Sequence, residues 1–306
     1  MARIVVTGAT GSIGKKICQE LIARGDSVVA LSRNPQTAND KLPTGVEVFG
    51  WEAPSEQPPP RAALEGADGI INLIGEPVAQ RWSTDAKQRI RTSRVAATSF
   101  LVDALRELEP SQRPKVLVSQ SATGFYGPHG SERLTEQSPP GSDFLARLVV
   151  DWEAAALTAT DLMRVAVTRT GVVLSPGDGA LAKMLPFFKV GVGGPVAGGK
   201  QYVPWIHVDD VCTALIFCLD HEQLSGPVNL TAPEPVDNAT LSKALGRVLH
   251  RPAFLPVPGF AVKLLYGEMA EMVITGQRAL PEQLLAADFS FSHAQLEPAL
   301  RSVLSS

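Results

Sequence analysis

Three glycines, Gly8, Gly11 and Gly14, are spaced by threes in VVTGATGSIGKK at residues 5–16. They lie between a β-branched run and an amphipathic one, so the chain turns there from strand to helix. A tight turn of this kind needs a residue without Cβ, which Gly8 supplies. Gly11 lets the backbone approach a pyrophosphate, and Gly14 lets the helix pack on the strand. The helix start then presents unpaired N–H groups and a partial positive charge to phosphates. The spacing is GxxGxxG rather than GxGxxG, but its place between strand and helix makes it a strong nucleotide signal. One glycine would be enough for a turn that held nothing.

The end of the second apolar run, VVALSRNP, decides which dinucleotide is expected. An acid there would bond the ribose 2′-hydroxyl of NAD and repel a 2′-phosphate. This chain carries Ser32 and Arg33 instead. A guanidinium can hold a 2′-phosphate through charge-assisted bonds. One such bond contributes about 1.5–3 kcal/mol, roughly a 10- to 100-fold preference. NADP(H) is therefore the expected cofactor. A solvated surface arginine is the plainer reading of Arg33 alone; its place at the strand end favours the functional one.

These groups need a scaffold. The chain has 306 residues, 44% apolar and 19% charged, with a formal net charge of −3. That is an ordinary globular composition, enough for one large domain or two modest ones sharing a cleft. No basic excess points to nucleic acid or an acidic membrane, and no apolar run has membrane-spanning length. Cys18, Cys212 and Cys218 form no CxxC and read as reduced core residues. With a strand beginning by Arg3 there is no room for a leader, so a cytoplasmic location is expected. His129, His221, His250 and His293 have no metal-ligand spacing, so no metal is expected.

Short apolar runs at residues 4–6, 27–31, 46–49, 69–74, 116–119 and 165–174 alternate with helical patterns. Ile13, Ile17, Leu21 and Ile22 share one face of a first helix ending at Gly25. A long helix is predicted over 83–108 and another over 143–159. The fold class is therefore α/β, a Rossmann-like doubly wound parallel sheet, with a smaller, mainly helical C-terminal lobe. Residues 1–175, with 206–232 returning to them, form the dinucleotide unit, and 176–306 the substrate lobe. In that lobe helices are expected over 238–249, 260–275 and 293–303. The stretch at 192–208 is too glycine-rich to be one regular element. It is expected to bring Lys200, Gln201, Tyr202, Trp205 and His207 to the cleft mouth. For Trp205 packing is the stronger reading; for His207 a ligand role and a bonded core role stand equal. Asp209 and Asp210 are expected to cap the next helix.

TGATGSIG, SRNP, INLIGEPVAQRW, SATGFYG and PWIHVDDV together resemble the extended and atypical short-chain dehydrogenase/reductases. Within these, LIGEP, RTGVVL, GVGGP, WIHVDD and GQRALP resemble the branch called epimerase family proteins, NAD-dependent epimerase/dehydratase-like with a C-terminal domain of unknown function. The resemblance spans nearly the whole chain. It implies cofactor contacts from Gly8, Thr10, Gly11, Ser12, Ile13 and Gly14 at the phosphates, and from Ser32 and Arg33 at the 2′-phosphate. It further implies Leu73, Ile74 and Gly75 beside the adenosine ribose and pyrophosphate, and Val173 where the backbone passes the nicotinamide. Arg94 matches an arginine that can reach the cofactor; an exposed helix charge is the equal alternative.

The larger family carries a Ser or Thr, then Tyr-x-x-x-Lys about 25 residues later, the tyrosine moving a proton as hydride moves at the nicotinamide. Ser121 matches. Leu145 and Val149 stand where Tyr and Lys belong, and no Tyr-x-x-x-Lys occurs anywhere in the chain. Tyr126, five residues after Ser121, either points into the cleft as a substitute proton donor or packs behind the strand. Glu76 could reach the nicotinamide side or pair locally. Three functions are therefore weighed. The first is an NADPH-dependent oxidoreductase on a small carbonyl or activated alkene. The second is a non-catalytic NADP(H)-binding regulator with a protein partner. The third, resting on the family label alone, is a sugar-nucleotide epimerase. A small-molecule substrate is expected in the first case, and a homodimer is compatible with all three.

Overall fold

The computed structural model describes residues 1–305. Seven parallel strands form one sheet: β1 (Arg3–Thr7), β2 (Ser27–Ser32), β3 (Val46–Gly50), β4 (Gly69–Asn72), β5 (Val116–Ala122), β6 (Arg164–Thr170) and β7 (Gly226–Leu230). Their order is β7-β6-β5-β4-β1-β2-β3. The chain starts in the middle, winds outward through β3, then crosses back to β4 and proceeds the other way. The reversal falls between β1 and β4, where Ile4 pairs with Gly69. Open α/β sheets bind their ligands in the crevice at this switch point.

The principal helices are α1 (Ser12–Arg24), α2 (Thr84–Thr92), α3 (Val95–Arg106), α4 (Phe144–Leu157), α5 (Gly179–Lys189), α6 (Val208–Asp220), α7 (Asn238–Leu249), α8 (Gly259–Tyr266) and α9 (Leu296–Ser305). Strand residues alternate between the two faces of the sheet, as a period of two requires. Ile4, Val6, Val28, Ala30 and Val118 pack on α1 and α6, where all three cysteines lie. Val5, Val29, Ile70, Leu117 and Val165 pack on α3 and α4. The cysteines are free and buried, and burial pushes the Cys18 and Cys218 thiols up to about 12, out of reactive range. In the C-terminal half, Leu181, Leu185, Leu241, Leu245, Leu300 and Val303 from α5, α7 and α9 enclose Trp205. No helix among the described residues is long and apolar enough to cross a membrane.

Three predicted elements are interrupted. The helix expected over 83–108 breaks at Ser93 and Arg94 into α2 and α3. Ser93 Oγ donates to the Ile90 carbonyl and accepts the Glu76 N–H, a side-chain competition that ends a helix. The run expected over 165–174 is cut at Gly171, where a Cβ would stand 1.9 Å from the Pro204 carbonyl oxygen. Past that crossing the chain leaves the sheet, and Val172–Leu174 pairs with Trp205–His207. The helix expected over 260–275 stops at Tyr266, before Gly267 with φ +61°, and a separate turn forms at Glu271–Ile274.

Candidate functional site

Gly8 follows β1 with φ +63°, and a Cβ there would lie 2.7 Å from the Leu73 carbonyl oxygen. A Cβ on Gly14 would lie 2.4 Å from the Gly8 carbonyl oxygen. Gly11 donates its N–H to the Gly8 carbonyl at 3.0 Å and accepts the first helical bond from Lys15 at 2.9 Å. Gly11 is the N-cap of α1, no side chain caps it, and the first turn carries no acid. The N–H groups of Ser12, Ile13 and Gly14 therefore have no helical acceptor before them. Gly11 and Ser12 are exposed, and Thr10 and Ile13 half-buried beside them. An anion at this turn would satisfy what the helix leaves open.

At the tip of β2, Ser32 Oγ exchanges bonds with the Asn34 backbone at 3.2 Å. Asn34 in turn caps the short helix Pro35–Asn39 by accepting the Thr37 N–H. The tip is thus held in place while Arg33 stays exposed, with no hydrogen bond or ion pair among the described residues.

At the tip of β4 a buried polar chain fixes the crevice. Thr7 Oγ1 donates to Asn72 Oδ1 at 2.7 Å and accepts the Leu73 N–H at 3.0 Å. Asn72 Nδ2 donates to Thr98 and Ser119, and Trp152 Nε1 donates to the same Thr98. Leu73, Ile74 and Gly75 continue from there. A Cβ on Gly75 would lie 2.9 Å from Arg94 Cζ, so the glycine makes room for the guanidinium. Arg94 also sits 5.2 Å over the Trp152 ring. Among the described residues its side chain makes one hydrogen bond, to the Ile90 carbonyl at 3.2 Å. Burial pushes its pKa down to about 10, with the Glu76 charge pulling it back up. The carboxylate of Glu76 is itself held by Gln80 and Arg89, so it pairs locally rather than facing the nicotinamide side. A buried guanidinium without a bonded acid is costly unless an anion reaches it. Arg94→Met is therefore expected to lower dinucleotide affinity about 10- to 100-fold, the worth of one or two charged bonds. The melting temperature should stay level or rise. Titration calorimetry and a thermal melt check both, and unchanged affinity would remove Arg94 from the site.

A cleft of about 330 Å³ opens where β4, β5 and β6 end. Leu73, Ile74, Gly75 and Arg94 line one end, and Ser121, Thr123 and Gly124 the floor. Val173 lines it from beyond Gly171. Leu145, Leu148, Val149 and Trp152 of α4 form an apolar wall, with Trp82 and Phe144 nearby. Leu145 and Val149 thus occupy the cleft at the positions the larger family gives to Tyr and Lys. The opposite side comes from Glu268, Glu271, Met272, Thr275 and Gln277. Glu268 is tied to Lys87 at 2.6 Å, which bridges this flap to α2.

The structure does not bring the other candidates to the cleft. Tyr126 is fully buried; its hydroxyl donates to Asn229 Oδ1 at 2.7 Å and accepts from Arg169 at 3.1 Å. It packs behind the strand. Gln201 binds the Val196 and Val273 carbonyls. Lys200 is exposed beside it, and Tyr202 lies under the Arg278 guanidinium at 4.9 Å. Trp205 is buried, with Nε1 on the Glu234 carbonyl. His207 stacks on His293 with ring centroids 3.6 Å apart. These residues form the joint between the glycine-rich stretch and the C-terminal helices, and none lines the cleft. Asp209 pairs with Lys16 at 3.0 Å, while Asp210 accepts the Ser292 and His293 N–H groups. The cap of α6 is His207, whose Nδ1 accepts the Asp209 N–H at 3.1 Å. A single sequence offers no way to see that stack, because its two rings come from positions 207 and 293.

Burial, and then the charge of His293, push the His207 pKa down from 6.5 to about 4, against the pull of Asp209. The folded ring therefore stays neutral until about pH 4, while the unfolded chain takes a proton below about 6.5. Stability is full above that range and declines as the pH falls through it, by on the order of 2–3 kcal/mol. Melts of His207→Gln between pH 7 and 4 should show a flatter acid limb than the parent; an equal slope would contradict the buried neutral ring.

Sequence reasoning missed Glu153 and Arg169. Arg169 holds Glu153 with two bonds of 2.8 Å, and Ser121 Oγ donates to the same carboxylate. Arg169 also lies 3.4 Å over the Phe125 ring. Arg169 opens the RTGVVL stretch and Glu153 lies on α4, but nothing in either segment marks the two as partners before the fold is known.

The seven-strand order, the uncapped glycine turn and the cleft at the strand ends define a dinucleotide-binding protein of the short-chain dehydrogenase type. Residues 4–230 match the NAD dependent epimerase/dehydratase family, and residues 257–303 match a domain of unknown function, DUF1731. The chain belongs to that epimerase/dehydratase family. It is 39% identical over 301 residues to the epimerase family protein SDR39U1 homolog, chloroplastic, of Arabidopsis thaliana, covering 98% of this chain and 86% of that protein. It is 35% identical over 303 residues to the epimerase family protein YfhF of Bacillus subtilis, covering 98% and 97%. The crystal structure of human epimerase family protein SDR39U1 (isoform 2) with NADPH superposes with a TM-score of 0.88 at 33% identity, covering 99% of both chains.

Proposed function

We propose that the protein is an NADPH-dependent oxidoreductase that acts on a small carbonyl or activated alkene in the cleft beside Ser121. The observation that carries this reading is the continuity of the cleft. One end is Leu73 to Gly75 with Arg94, adjoining the phosphate turn; the other is a largely apolar chamber with Ser121 on its floor. The groups left open fit a phosphorylated dinucleotide. The α1 amides would take the pyrophosphate, Arg33 the 2′-phosphate and Arg94 a further phosphate oxygen. The nicotinamide, when bound, supplies or accepts a hydride. Residues 1–175 with 206–232 serve the cofactor in this reading, and 176–306 cover the substrate. The NADPH in the human relative supports the choice of cofactor.

Leu145 and Val149 leave no room for the family's tyrosine and lysine, and this weighs against sugar-nucleotide epimerisation, which needs an acid/base pair. It also bounds the substrate: an apolar wall admits a modest, partly apolar molecule. The test is to follow the loss of NADPH absorbance with a panel of quinones, enals and ketones. Turnover of at least one, lost in a Leu145→Trp variant that still binds NADPH, is expected. Tight NADPH binding with no turnover, and partner capture that depends on NADPH, would favour the regulator instead.

A further inference from the structure

We infer that Ser121 and Glu153 form a proton relay that stands in for the absent Tyr-x-x-x-Lys pair, and that the substrate is accordingly a hydroxyl/carbonyl pair. This rests on the oxidoreductase reading and narrows it, since an oxygen must meet Ser121. The Ser121 hydroxyl has one proton, and it is directed at Glu153 Oε1 at 2.5 Å. Glu153 is ion-paired to Arg169 through both oxygens, so it can only accept. Ser121 lines the cleft but is only 2% exposed, so a substrate hydroxyl would have to reach the lone pair that Glu153 leaves free on its Oγ.

The carboxylates around the cleft are engaged elsewhere, while Gln120, Thr123 and Gln277 line it with no side-chain hydrogen bond among the described residues. Asp143 caps α4 by accepting the Ala146 N–H, Glu268 is bound to Lys87, and Glu271 is bound to Lys263. Tyr126 donates away from the cleft to Asn229. The placement of the ion pair is also telling. A buried pair adds little stability over an apolar one of the same volume. Here Glu153 and Arg169 are 5% and 4% exposed, directly behind the strand-end serine.

In the oxidative direction the substrate hydroxyl proton passes to Ser121 Oγ while the Ser121 proton passes to Glu153 Oε1. The carbinol C–H bond breaks with its electron pair leaving as hydride to the oxidised dinucleotide, and the oxygen becomes a carbonyl. Reduction runs the same path backward: Glu153, an acceptor at rest, must first take a proton from water, loosening its pairing with Arg169, before that proton passes through Ser121 Oγ to the substrate oxygen. Ser121 is the catalytic residue; Glu153 acts through it, with Arg169 holding the carboxylate in place.

The relay predicts a reactive serine even without cofactor. Phenylmethylsulfonyl fluoride should modify Ser121, the Oγ–S bond forming as fluoride leaves and the proton goes to Glu153. Peptide mass spectrometry on the full chain reads the adduct. We expect labelling in the parent, none at this site in Ser121→Ala, and a rate at least ~10-fold lower in Glu153→Gln, the low end of what a general base contributes. NADPH affinity should be unchanged in Glu153→Gln, and turnover of secondary alcohols with NADP⁺ should fall in kcat rather than rise in KM. Should Glu153→Gln fail to fold, Glu153→Asp keeps the charge for Arg169 but draws the carboxylate back from Ser121, and the same loss is expected. An unlabelled Ser121 in folded parent protein, or equal labelling in the variants, overturns the relay. Glu153-dependent labelling in a protein that binds no NADPH would keep the dyad and overturn the oxidoreductase reading.

Discussion

Gly8→Ala is expected to cripple dinucleotide binding. The backbone there has φ +63°, which costs an L-residue about 1–2 kcal/mol. The new methyl would also stand 2.7 Å from the Leu73 carbonyl oxygen and 2.9 Å from its carbonyl carbon. Those atoms cannot retreat, because Leu73 is pinned through its N–H to Thr7 Oγ1 at 3.0 Å. The turn must therefore re-route, and the α1 amides lose their aim. We expect NADPH affinity to fall by at least ~100-fold and stability by about 1–3 kcal/mol. Gly25 is the control: it has φ +90° but no neighbour within 4 Å of a Cβ. Gly25→Ala should cost only about 1 kcal/mol and leave binding intact. Calorimetric titration and chemical denaturation read the two effects separately. Parent-like NADPH binding by folded Gly8→Ala would refute the proposed phosphate turn.

The second large effect belongs to Arg33→Asp. Arg33 is exposed and makes no hydrogen bond or ion pair among the described residues, so its replacement breaks no such contact. An aspartate at the tip of β2 withdraws the positive partner of a 2′-phosphate and adds a repelling charge, while offering two acceptors to a 2′-hydroxyl. The preference for NADPH over NADH should reverse, the ratio of affinities changing ~100-fold or more, since each charged bond contributes about 1.5–3 kcal/mol. The melting temperature should hold. A ratio equal to the parent's would mean that Arg33 is a solvated surface charge.

The parts of this fold that are legible in sequence are those set by local spacing. The glycines at 8, 11 and 14 announce a strand–turn–helix, and the turn is there. Gly25 marks the end of α1 and adopts the left-handed cap. Ser32 and Arg33 follow from counting to a strand end. Interruptions were harder, because each is caused from outside its own segment. Ser93 breaks a helix to hold the Glu76 N–H, and Gly171 yields to Pro204. The glycine-rich stretch holding Lys200 to His207 is expected at the cleft mouth, but residues 268–277 supply the side of the cleft facing α4. The stretch does not reach the cleft because Gln201, Trp205 and His207 all find partners in the C-terminal half. Glu153 and Arg169 were invisible for the same reason: a buried ion pair is a property of two elements together.

The central claim is that a phosphorylated dinucleotide lies across the turn after β1, with its extra phosphate at Arg33. Calorimetric titration of the unmodified chain with NADPH and, separately, NADH tests it most directly. The account predicts binding of one NADPH per chain, tighter than NADH by about 10- to 100-fold. Equal affinities, or no heat of binding from either at millimolar concentration with folded protein, would contradict it.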